Sequence, residues 1–160
     1  MDIGLELSPL FRAHLVSLME TRWSTALSAL KKSIASSPGG RLVVVENARA
    51  RSQVEGDDDA GGGAREHEIR RYPAMVAFAN AFFETFNELR ACTLLGARPA
   101  LERCMRSCLS SARAAIASAE RPVTDRAADD SRESTAASAF EAHCEAMLLE
   151  KFASLFAPAA

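Results

Sequence analysis

The stretch from Arg71 to Cys92, RYPAMVAFANAFFETFNELRAC, constrains the fold more than any other part of the chain. Tyr72 followed by Pro73 predicts a helix start, because proline's missing amide costs nothing at the first helical position and its fixed φ suits it. Beyond it, Met75, Phe78, Phe82, Phe86 and Leu89 recur at steps of three and four, which lines them along one face of an α-helix. Three of the eight phenylalanines lie on that line. Asn80, Glu84, Asn87 and Glu88 fall away from it, so this helix has a buried stripe and a wet side.

Other segments carry matching stripes. Ser8 and Pro9 read as a helix entry, and Phe11, Leu15, Leu18, Met19, Trp23, Ala26, Leu27, Leu30 and Ile34 then hold a helical period until Ser36-Ser37-Pro38-Gly39-Gly40 stops it. Gly96 to Pro99 breaks the chain again. A third helix follows, with Leu101, Met105, Cys108, Leu109, Ala112, Ile116 and Ala119 inside and Arg103, Arg106 and Arg113 outside. The last runs from about Thr135 to Phe156 on Phe140, Cys144, Met147, Leu148, Phe152, Leu155 and Phe156. These stripes predict a single all-α domain over 1–160, an antiparallel bundle of about four amphipathic helices near 8–35, 73–92, 99–120 and 135–156.

Residues 36–71 read as a flexible loop. They hold Asp57-Asp58-Asp59 and Gly61-Gly62-Gly63, a composition that cannot bury enough surface to offset chain entropy. The run Leu42-Val43-Val44-Val45 is the exception, read as a transient anchor. Val123 to Ser134 reads as charged and flexible.

A net charge of -2 argues against a broad electrostatic footprint for nucleic acid. Four cysteines without a secretory leader in MDIGLELSPL point to a reducing compartment and no disulfides. No window approaches the roughly 18 apolar residues that cross a bilayer, so any membrane association is expected to be peripheral.

Sites of chemistry are sparse. Cys104 and Cys108 share a helix face, and His143 with Cys144 sits on another helix, so a zinc site is conceivable. Buried thiols on apolar stripes are the stronger reading, since the short ligand spacings of common zinc sites are absent. There is no Gly-x-Ser-x-Gly elbow, no Gly-x-x-x-x-Gly-Lys loop and no Glu-x-x-His pair. His14, His67 and His143 are scattered. The chain is therefore expected to be non-enzymatic, with no catalytic, cofactor or metal residue. Arg70, Arg71 and Arg90 flank the second helix and could meet a partner's carboxylates.

The aromatic-proline pair Tyr72-Pro73, the apolar run with Asn80, and the closing Phe86, Asn87, Glu88, Leu89, Arg90 and Cys92 resemble the carboxy-terminal region of subunit eight of the conserved oligomeric Golgi complex. LSPLFRAHLVSLMETRWSTALSAL near the amino terminus is similar to the segment preceding that motif in the family. Ala74 stands where the family often has a second proline, and no proline follows Cys92 closely. The resemblance covers only the final part of such subunits, so it implies a piece of a larger chain. It further implies vesicle tethering in intra-Golgi retrograde transport, peripheral attachment at the cytoplasmic face of the Golgi membrane, and contacts with other subunits of the complex and with trafficking proteins. Tyr72, Pro73, Asn80, Asn87, Glu88 and Arg90 are the motif residues offered as partner contacts. The other reading is a free-standing helical adaptor that binds one partner helix or peptide in a groove.

Overall fold

The computed structural model describes residues 3–37, 42, 70–91, 95–120 and 135–157. Every element among them is helical. In chain order these are α1 (Ile3–Ser36), α2 (Pro73–Ala91), a 3-10 turn (Leu95–Ala97), α3 (Arg98–Glu120), and a last rod made of α4 (Ala136–Ala139), a π-helical turn (Phe140–Glu145) and α5 (Ala146–Leu155). The fold is an all-α bundle, as the stripes predict. Most of the expected 36–71 loop, Cys92 and the 123–134 segment lie outside the described residues. Of the Leu42 run only Leu42 is described, and it is buried in the core.

Helix α2 begins at Pro73, as its sequence predicts. The Tyr72 carbonyl accepts hydrogen bonds from the amides of Met75 and Val76 at 2.9 and 3.1 Å, closing the first turn. Helix α1 departs from expectation, because it starts at Ile3 and carries Pro9 in its interior. A proline at that depth removes the hydrogen bond its amide would make to the fourth residue before it. The helix-compatible run Ile3 to Leu7 nevertheless continues the rod past it.

Named contacts set the order of the helices. Trp23 of α1 meets Thr85 of α2 and Arg22 pairs with Glu88, while Arg12 lies against Gly96 just beyond α2, so α1 and α2 run antiparallel. Cys108 of α3 donates to the carbonyl of Trp23 and Arg12 stands by the start of α3, so α1 and α3 run parallel. Phe78 meets Phe140 and Phe86 meets Phe152, which makes α2 and the last rod parallel as well. Arg113 pairs with Glu141, and Arg98 stacks over Phe156, so α3 and the last rod are antiparallel. Consecutive helices therefore alternate in direction, but two of the packed pairs are parallel. Helices α2 and α3 stand at opposite corners of the bundle, each packed on α1 and on the last rod.

The stripe of α1 is narrower than expected. Leu15, Met19, Trp23, Ala26, Leu30 and Ile34 are buried, whereas Phe11 and Leu18 are exposed. At the level of Phe11 the bundle has run out, since Arg12 already faces the turn between α2 and α3. Leu18 sits one position off the Leu15–Met19–Trp23 line and points outward.

The π-turn has a geometric cause. From Phe140 the buried residues Cys144, Leu148, Phe152 and Phe156 recur at every fourth position. An α-helix repeats every 3.6 residues, so such a stripe drifts by about 40° per step. Helices α1 and α2 cancel this drift with three-residue steps, Trp23 to Ala26 and Phe86 to Leu89. The last rod has no such step after Phe140, and the wider π-turn takes up the difference instead.

At the start of that rod Thr135 accepts from the amide of Ser138 at 3.2 Å, as an N-cap does. Glu120, the last residue of α3, reaches across to accept from the amides of Ala136 and Ala137. A carboxylate there also opposes the positive end of the helix dipole. Glu120→Ala is expected to lower stability by about 1 kcal/mol, the usual value of a cap. Urea denaturation measures it, and a loss below about 0.3 kcal/mol would show that water substitutes for the carboxylate.

Candidate functional site

Among the described residues two surface features stand out beside the core. The first is a groove of about 350 Å³ between α1 and α3, the parallel pair. Small side chains open it: Ser24 on α1 and Ser107 and Ser111 on α3 leave room where larger residues would close the seam. Trp23 and Leu27 form its apolar side, Cys104 and Cys108 lie one turn apart on the other, and Glu20 and Arg103 complete its lining. Cys108 is buried and donates its thiol proton to the carbonyl oxygen of Trp23 at 3.4 Å. Cys104 is half-buried.

Burial governs the thiols. It pushes Cys108 up to about 11 despite the nearby Lys31, and Cys144, beside Glu145, up to about 12. Cys104 is raised as well, by burial and then by the charge of Glu20. The folded state thus prefers the protonated thiols. The stability they contribute is whole below the ordinary cysteine value of 9.0 and is lost as pH rises toward about 11 and 12. Thermal melts of the reduced protein are expected to fall between about pH 9 and 11 more steeply than those of Cys144→Ala. Equal slopes would remove Cys144 as a source of the effect.

The second feature is an exposed apolar face at the amino-terminal half of α1, where Leu10, Phe11 and Leu18 are 69%, 51% and 38% exposed. Phe11 and Leu18 are seven residues apart and so lie on nearly the same side of the helix. His14 is exposed between them.

The motif residues do not gather into one site. Tyr72 is buried at the mouth of α2, and Pro73 is exposed at its first turn. Asn80, Asn87, Glu88 and Arg90 are all exposed along α2, and Glu88 is held by Arg22. The conceivable four-ligand zinc set is not assembled, because the groove that holds Cys104 and Cys108 is lined by neither His143 nor Cys144. Among the described residues no three His, Cys, Asp or Glu donors converge. Nor is any described helix long and apolar enough to cross a membrane.

Sequence reasoning missed both the groove and the buried pairing of Trp23 with Thr85. Thr85 lies three residues past Phe82 and next to Phe86, so its place on the stripe was visible. The identity of its partner was not.

Comparison with protein-family models, with curated proteins and with solved structures finds no match for this chain.

Proposed function

We propose that the chain works through protein contacts rather than by chemistry, as a helical piece of a Golgi vesicle-tethering complex acting in intra-Golgi retrograde transport. The observation that carries the contact reading is the exposed Leu10, Phe11 and Leu18 face on a bundle whose other large apolar side chains, among the described residues, are mostly covered. Clustered exposed apolar residues of this kind mark interaction surfaces more often than isolated ones do. The Golgi assignment rests on the resemblance of Tyr72 to Cys92 to the tethering subunit. In this reading the bundle is a rigid spacer docked to other subunits, held peripherally at the cytoplasmic face of the Golgi membrane. The same α1 face favours a second reading, an adaptor that takes up one partner helix.

Affinity purification of the tagged protein from cells, beside a Leu10→Ser, Phe11→Ser, Leu18→Ser variant, tests both. Exposed substitutions should leave the thermal melt nearly unchanged. The tethering reading expects other subunits of the Golgi complex with the parent chain and their loss from the variant. Absence of those subunits from both overturns it, and a single unrelated partner lost from the variant selects the adaptor.

A further inference from the structure

We propose that Cys104 and Cys108 form a two-coordinate site for a soft monovalent cation of the copper(I) class, set in the groove between α1 and α3. The inference is independent of the tethering reading and rests on placement. Residues four apart on a helix have β-carbons about 5–6 Å from one another, a gap that one metal between two thiolate sulfurs can bridge. Both cysteines line the same open groove, so a cation has a path to them.

The absence of a third donor among the described residues selects the metal. Zinc needs four ligands, or three with a water, and has no set here. Soft thiolates favour copper(I), which is satisfied by two. Trp23 and Leu27 make one wall of the groove apolar, which suits a weakly hydrated complex. On binding, each thiol gives its proton to solvent and two sulfur–copper bonds form. No electron is transferred, and the complex carries one net negative charge. Arg103 in the groove and Lys31 near Cys108 oppose that charge, while Glu20 adds to it.

The reduced 160-residue chain is titrated anaerobically with copper(I) against a chelator of known affinity. Trp23, the single tryptophan, reports from the groove wall by its fluorescence. The expected result is one copper per chain, with Trp23 quenched in step. Cys104→Ser should weaken binding by at least the ~10–100-fold typical of disturbing a metal's surroundings. Cys104 is the decisive position, because Cys108 also bonds the Trp23 carbonyl and Cys108→Ser can disturb the fold itself. Cys92→Ser and Cys144→Ser should bind as the parent does. Unchanged affinity in Cys104→Ser, loss in Cys92→Ser, loss in a Cys144→Ser variant whose thermal melt matches the parent's, or binding without a change in Trp23 fluorescence overturns the site.

Discussion

Replacing Phe82 with alanine is expected to cost about 3–5 kcal/mol, the range for removing a fully buried aromatic ring. Phe82 has no exposed surface and stands at the middle of the aromatic cluster. Its ring stacks on Trp23 at 5.4 Å between centroids, meets Phe78 at 4.9 Å and meets Phe86 edge-on at 6.1 Å. The substitution therefore opens a cavity shared by α1 and α2 and removes ring contacts that add to burial. Phe86→Ala should fall in the same range, since Phe86 joins α2 to Phe152 of the last rod. Equilibrium denaturation of the two variants measures this. A loss below about 1 kcal/mol in both would show that α2 is not the element around which the core is built.

Trp23→Ala is expected to be of equal size, about 3–5 kcal/mol, for a partly different reason. Trp23 is 1% exposed, and its indole nitrogen donates to the Thr85 hydroxyl at 2.8 Å. That hydroxyl in turn donates to the Phe82 carbonyl at 2.7 Å. Thr85→Val keeps the shape of the side chain but leaves the indole donor buried without its acceptor, which costs about 1–3 kcal/mol. A double-mutant cycle of Trp23→Phe with Thr85→Val separates the hydrogen bond from the packing. Strict additivity of the two would show that the bond contributes nothing to holding α1 on α2.

Much of the fold was legible in the chain. The Tyr72-Pro73 start, the apolar stripe of α2, the break near Gly96 and the stripes of α3 and the last rod all act within one helix. Local rules of period and capping suffice there. The exposed positions of Asn80, Glu84, Asn87 and Glu88 followed from the same periodicity. Errors arose where the outcome depended on what stands opposite. Phe11 and Leu18 fit a helical period as well as Leu15 does, but a stripe is buried only as far as neighbouring helices reach. Ser8 and Pro9 looked like a start, yet α1 begins at Ile3 and carries Pro9 in its interior, without the hydrogen bond that a proline cannot donate.

The sequence by itself determined that the described residues are helical and, the start of α1 and its Phe11 and Leu18 aside, where those helices lie and which faces turn inward, because side-chain period and proline geometry are properties of a few consecutive residues. Only the tertiary structure decided that α1 lies parallel to α3 and that Thr85 receives the indole of Trp23. The same holds for the Glu120 cap on the next helix and for the groove that Ser24, Ser107 and Ser111 leave beside Cys104 and Cys108. Each of these joins residues far apart in the chain, and no local pattern specifies which helix meets which. That choice is made when side chains of several helices must fill one volume at once.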